Sequence, residues 1–489
     1  MARRAFLGID CGTQSTKALL VDADTLVPLA LGRAHHELIA RDDGTREQHP
    51  DWWVEALQSA TREALAGLQP GAVELAGIGV SGQQHGMVCL DAEDRPVRPA
   101  KLWNDTTTEP DCAWLTRKLG GLESVLGLTG NPFLPGYTAP KVSWLHRAEP
   151  DAYDRTARIC LPHDYLNLWL TGSYATEPGD ASGTGYVDVR ARSYQPAVLG
   201  LLDSARDWDR TLPPIVASLS RIGSLRPAAA DALGLPPGSA GIPVSAGGGD
   251  NMCAAIGVGA TRPGPVVVSL GTSGTAFAHS AGPAVDPQGE AAAFCDSTDG
   301  WLPLTCTLGC TVATGWVSDL FGLDHAGVER ALASTRPGAG PIFLPHLAGE
   351  RTPSLPNGAG LFVGLRTSHG PEALVRAVLE GVTFGLGYGL DVLRRTGVEP
   401  AEITLVGGGS ASDSWGQLCA DVFEVPVVRP AVSEAAALGA ALQARWVVDG
   451  IAAPVPPTDA TWEPRPSDAL RAARDRTAEL RRLAAQHDL

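Results

Sequence analysis

The 489-residue chain carries 38 Lys+Arg against 54 Asp+Glu, a net charge of −16, with 44% apolar residues, 57 Gly and 38 Pro. A chain this long and apolar buries a large core, which excludes a disordered polymer, and at roughly 100–200 residues per domain it divides into more than one domain. Without clustered Lys and Arg it has no surface for a phosphate backbone or anionic lipid, so nucleic acid and membrane are excluded as partners; a small anion held by backbone amides and one cation is not.

The first apolar run, Ala5 to Ile9, stops at Asp10, passes through Cys11-Gly12-Thr13-Gln14-Ser15 and resumes over Ala18 to Val21. That pattern predicts strand, tight turn, strand. The run is too short for a secretory signal, and no later stretch has membrane length, so a soluble cytoplasmic protein is expected. Helical spacing covers Asp51 to Leu68 with Asp51 as a candidate N-cap, and Leu75 to Val80 reads as a buried strand. Two polar clusters, Ser81-Gly82-Gln83-Gln84-His85-Gly86 and Leu102-Trp103-Asn104-Asp105, follow.

A Pro/Gly-rich linker is expected over 232–243, followed by Ala246-Gly247-Gly248-Gly249-Asp250-Asn251. Val266 to Leu270 then runs into Gly271-Thr272-Ser273-Gly274-Thr275 and Ala276 to Ala278, repeating the first strand-turn-strand about half a chain later. Tandem domains of similar build give such an offset, with a boundary near Val244: residues 1–244 and 245–489. Beyond lie a long helical pattern (Glu372 to Arg395), a strand (Glu402 to Val406), Gly407-Gly408-Gly409-Ser410, an Ala-rich helix (Ser433 to Arg445, Ser433 as N-cap), a surface loop at 452–466 and a closing Arg-rich helix. Both halves are α/β. The nine cysteines lack zinc-like or disulfide-like spacing and read as reduced thiols, with Cys306 and Cys310 assigned to core packing.

Glycines and small hydroxyl residues at strand ends let consecutive amides converge on phosphate oxygens. The two Gly-Thr turns together suit a polyphosphate, and neither is a Walker loop. The Gly407–Ser410 cluster offers bare backbone to a nucleobase or ribose. Asp10, beside the first turn, is placed to hold Mg²⁺ directly or through water; Asp250 is either a helix cap or, at the domain junction, a proton acceptor. Gln84, His85, Trp103 and Asp105 supply the donors, acceptors and aromatic wall that grip a polyol. Only Lys17, Lys101, Lys118 and Lys141 are lysines, and three of them adjoin these clusters, so those sites are expected to need a compact amine rather than a planar fork.

Together these clusters resemble the FGGY carbohydrate kinases over essentially the whole chain. The resemblance rests also on Gly136-Tyr137-Thr138-Ala139-Pro140-Lys141-Val142-Ser143-Trp144-Leu145, on Gly360 to Leu365 with Leu374 to Gly381, and on Leu344 to Pro353. It implies two tandem actin-like ATPase domains of ribonuclease-H type with an interdomain cleft. It implies ATP phosphates at Thr13, Gln14, Gly271 and Thr272, and adenosine near Gly408, Gly409, Ser410 and Asp413. Asp250 is implied as proton acceptor, and Gln84, His85, Trp103, Asp105 and Asn251 as the sugar pocket. The reaction implied transfers the γ-phosphoryl of MgATP to O5 of D-xylulose, giving D-xylulose 5-phosphate. Gln84 stands where Met is commoner, which leaves D-ribulose, L-xylulose and D-arabinitol open as acceptors. An actin-like ATPase without an acceptor fits less well, because it leaves the polyol-gripping clusters unexplained. Expected partners are ATP and a small sugar, and a homodimer is left open.

Overall fold

The computed structural model describes residues 2–355 and 357–486. Its first sheet comprises β1 (Arg3–Cys11), β2 (Ser15–Asp22), β3 (Pro28–His35), β4 (Val73–Gly82), β5 (Arg221–Ser224), β6 (Pro243–Ser245) and β7 (Gly248–Gly249). The order is β5-β6-β4-β1-β2-β3, with β7 paired to the end of β4. The second comprises β8 (Pro265–Leu270), β9 (Gly274–Ala278), β10 (Ala292–Cys295), β11 (Trp301–Thr307), β12 (Glu402–Val406), β13 (Val427–Pro430) and β14 (Thr458–Trp462), ordered β10-β11-β9-β8-β12-β13-β14. In each, an antiparallel hairpin (β1–β2, β8–β9) flanks a parallel run (β1–β4–β6, β8–β12–β13). This is the ribonuclease-H-type core twice over: the repeated strand-turn-strand predicted two domains of similar build, and the family resemblance implied their type.

Strand β1 is buried from Ala5 to Cys11 because helices cover both faces. Ala5, Leu7 and Ile9 pack with Trp53 and Leu57 of α1 (Pro50–Ala66), while Phe6 packs with Ala437, Leu438 and Ala441 of the Ala-rich helix. α1 starts with Pro50 at its first position and His49 as N-cap; the preset φ of proline opens the helix, and Asp51 falls in its first turn. The second core centres on a helix at Pro371–Arg395, long and apolar enough to cross a membrane but mostly buried here against β11 and β9. Within the segment 452–466, expected as loop, Thr458–Trp462 forms β14, an edge strand whose Trp462 covers Gly416, and the rest has no regular structure.

Counting α2 (Asp250–Gly257), α3 (Pro371–Arg395) and α4 (Asp413–Phe423), the Ala-rich helix is α5 (Ala435–Asp449), with Glu434 rather than Ser433 at its N-cap. Late in sequence, it nevertheless packs on β1 and β4 of the first sheet and crosses α2. Small residues allow that approach. A Cβ on Gly439 would lie 1.7 Å from the Cys253 carbonyl oxygen, and one on Gly8 would lie 1.9 Å from that of Ala437.

Candidate functional site

Parallel strands deliver their carboxyl ends to one edge. In the first sheet the registers Asp10↔Ser81 and Gly249↔Gly82 bring Asp10, the segment to His85, and Asp250 to that edge. In the second, Ser269↔Val406 sets the Gly271 turn beside the Gly408 turn, and Gly407 abuts Leu270 so closely that a Cβ would sit 2.8 Å from its carbonyl carbon.

Between the sheets lies a cavity of about 700 Å³. Of the residues singled out from sequence, Gln84, His85, Trp103, Asp250, Asn251, Gly271 and Thr272 line it. Asn251 Nδ2 donates to Gln84 Oε1 at 2.9 Å and to Asp250 Oδ1 at 2.9 Å, tying the Gln84 side of the cavity and the carboxylate into one unit. Gly249 rather than Asp250 is the N-cap of α2; Asp250 is its first residue, with its Oδ1 also taking the Asn251 amide at 2.8 Å.

Burial, and then the neighbouring Asp10, push the Asp250 carboxyl up to about 7. Asp10 is itself raised by burial, opposed by Lys17 and by Ser81, whose hydroxyl donates to Oδ1 at 3.0 Å. Lys17 Nζ lies 3.5 Å from Asp10 and 2.7 Å from Glu434, so it bridges the two halves.

His85 adopts φ 64°, a left-handed conformation rare outside glycine and typical of over-determined functional positions. Lys141 holds it there. Its fully buried Nζ donates to the carbonyls of His85 and Gly136, both at 2.6 Å, and burial pushes its pKa well below the usual lysine value. Burial, with the charges of Lys141 and Arg351, likewise depresses His85, so the imidazole is neutral. Neither His85 Nδ1 nor Gln84 Nε2 has a partner among the described residues, and both suit ligand hydroxyls.

Trp103 Nε1 donates to Thr13 Oγ1 at 2.9 Å, which couples the cavity wall to the β1–β2 turn. Gln14 is exposed on that turn. Asp105 stands off the cavity: fully buried, it takes Lys101 Nζ at 2.8 Å and the Arg46 amide at 2.9 Å, and props the Trp103 loop from beneath. Gly408, Gly409 and Ser410 form a 3₁₀ turn after β12, with Asp413 exposed at the start of α4 and paired to Arg429 at 3.2 Å; none of the four lines the cavity. Cys310 is buried core, whereas Cys306 reaches the cavity wall.

Four residues carried no role in the sequence reading. Tyr137 and Phe294 close an aromatic wall around His85, with centroids 4.9 and 5.3 Å from its ring. Arg351 enters from the second domain, its guanidinium 5.9 Å from the Trp103 ring centroid. Gln443 of α5 is fully buried and clasps Gly247, accepting its N–H and donating to its carbonyl, both at 2.8 Å, just before Asp250. A lone amide in the run Ala435 to Ala444 was the available signal.

The chain is 43% identical over 449 residues to a xylulose kinase of Haemophilus influenzae (90% of each chain) and 42% identical over 448 residues to a xylulose kinase of Streptomyces coelicolor (91% of this chain, 88% of the relative). It superposes on the crystal structure of a xyloylose kinase from Brucella ovis with a TM-score of 0.92 at 34% identity, covering 99% of this chain and 100% of that one. Residues 5–257 match the N-terminal domain and residues 266–447 the C-terminal domain of one family, and the chain therefore belongs to the FGGY family of carbohydrate kinases.

Proposed function

We propose that the protein transfers the γ-phosphoryl group of ATP to O5 of D-xylulose, with Asp250 accepting the hydroxyl proton. The observation that carries this reading is a buried carboxylate poised near 7 on the wall of a cavity that also presents an unpaired amide donor from Gln84 and an unpaired ring nitrogen from His85. A base of that pKa is about half ionised at neutral pH and basic enough to take a proton as the alcohol oxygen attacks. The xylulose kinases similar over nine-tenths of the chain support D-xylulose as acceptor. In this scheme Gln84, His85, Trp103 and Asn251 orient the sugar, the Thr13 and Gly271–Thr272 turns hold phosphates, and the Gly408–Ser410 turn and Asp413 lie along the adenosine.

Asp10 suits Mg²⁺: the ion takes one or two carboxylates with phosphates and water, so a single carboxylate at a strand end beside a phosphate turn is sufficient, and no larger acidic cluster is needed. When bound, Mg²⁺ neutralises charge on the transferring phosphoryl. Catalysis is then mainly positioning, and closure of the cleft keeps water from replacing the sugar as acceptor. ATP as donor places the reaction in the cytoplasm.

The test is an ADP-release assay with MgATP against D-xylulose, D-ribulose, L-xylulose, D-arabinitol, xylitol and glycerol, with a no-sugar control. Release dependent on D-xylulose supports the proposal. Preference for another polyol reassigns the acceptor, and release independent of sugar overturns the acceptor site.

A further inference from the structure

This inference rests on the proposed phosphorylation of O5. A ketopentose closes its furanose ring through O5, so a sugar offering O5 as nucleophile is bound open-chain, with a free carbonyl at C2. That carbonyl oxygen accepts hydrogen bonds and cannot donate, and it lies three carbon–carbon bonds from the reacting end. The pocket therefore needs a donor at the end remote from Asp250.

The cavity wall narrows the choice. Gln84 is committed to the Asp250 end: its amide bonds Asn251, and its side chain packs on Gly249, where a Cβ would meet Gln84 Cγ at 2.7 Å. Trp103 has spent its single donor on Thr13. Tyr137 carries a hydroxyl that donates and accepts, and so does not select a carbonyl over an alcohol. Arg351 remains. Its guanidinium carries only donors, and its one polar partner among the described residues is Cys306 Sγ at a long 4.0 Å. It forms no ion pair with any described carboxylate, an unusual state for an arginine on a cavity wall. Its backbone is fixed from behind: Glu350 is nearly fully buried and accepts the amides of Arg351 at 2.8 Å and Leu308 at 2.7 Å.

We propose that Arg351, reaching across the cleft from the second domain to the Trp103–Tyr137 side of the pocket, donates to the C2 carbonyl of the open-chain sugar and makes the enzyme a reader of ketoses.

The experiment compares wild type with Arg351→Gln and Arg351→Lys, measuring kcat and KM for sugar and for ATP. Two acceptors are used: D-xylulose, and 1-deoxy-D-xylulose, which keeps the carbonyl and lacks O1. Loss of one hydrogen bond from a charged donor predicts about a 10–100-fold rise in sugar KM for Arg351→Gln, the same fold for both acceptors, with KM for ATP unchanged. Arg351→Lys recovers part of the loss. An unchanged ATP KM also certifies that the variants fold. A sugar KM unaffected by either substitution overturns the proposal. An effect confined to D-xylulose reassigns Arg351 to O1, and a rise in ATP KM assigns it to the phosphates; both overturn the carbonyl contact. Wild type that does not phosphorylate D-xylulose refutes the proposed function before any variant is made, and this inference with it.

Discussion

Replacing Asp250 with Asn separates the cost of the carboxylate from its use. In the folded protein the carboxyl is raised from 3.8 to about 7, and in the unfolded chain it returns to the ordinary value. Between those values the folded state holds a proton that the unfolded state has released, so ionisation destabilises the fold as pH rises. The full shift corresponds to about 4 kcal/mol, reached above pH 7, of which roughly 1–2 kcal/mol is already present at pH 5. Asn does not titrate, and its side-chain carbonyl can still accept the Asn251 amide and Nδ2 bonds now made to Oδ1. At roughly 2.1 cal/mol/K per residue, cooperative unfolding of this chain makes 1 kcal/mol worth about 1 °C. Scanning calorimetry of Asp250→Asn against wild type should therefore show a Tm advantage about 3 °C larger at pH 8 than at pH 5. Sugar phosphorylation should fall by roughly 10²–10⁴-fold, and the acidic limb of wild-type kcat/KM should lie near pH 7. An equal Tm difference at both pH values would refute the reasoning, because Asp250 would then ionise as an ordinary surface carboxylate.

A Cβ at Gly183 would sit 2.0 Å from His85 Cε1, so Gly183→Ala should displace the ring and raise sugar KM about tenfold or more while sparing KM for ATP, as steady-state kinetics would show. Gly439→Ala overfills the α2–α5 crossing, and about 1–3 kcal/mol of lost stability is expected by calorimetry. Trp103→Phe deletes the bond to Thr13, about 0.5–1.5 kcal/mol, and should weaken both substrates a few-fold in titration calorimetry. Lys141→Arg forces a longer fork into a fully buried slot, so lower Tm and weaker sugar binding are expected; unchanged values would show that the compact amine is not required.

Much of the core was legible in sequence because its strands are apolar runs that stop at glycine and hydroxyl residues; β1, β2, β8, β9 and β12 were read that way. The partner of α5 was not legible. Periodicity says which face of a helix is apolar but not which sheet it covers, and an Ala-rich helix is apolar nearly all round. The residues Gln84, His85, Trp103 and Asp250 could be singled out because each follows a strand or lies in a short polar cluster. Asp105, two residues from Trp103, instead turns inward to Lys101, a difference that spacing does not reveal. Arg351 and Phe294 were missed because the cavity is assembled from segments more than two hundred residues away from His85, and nothing local marks a side chain as facing a distant wall.

The lodging of α5 on the first sheet has a consequence for synthesis. As the chain leaves the ribosome, all seven strands of the first sheet emerge before α5, which comes only after every strand of the second sheet except the edge strand β14. Until then the face of β1 carrying Phe6 and Gly8 has no cover. Until α5 arrives, the first half is left with an open apolar side exposed to chaperones and to aggregation. A chain halted before Ala435 would leave the first sheet uncovered on one face, so the first half is completed only once most of the second has been made.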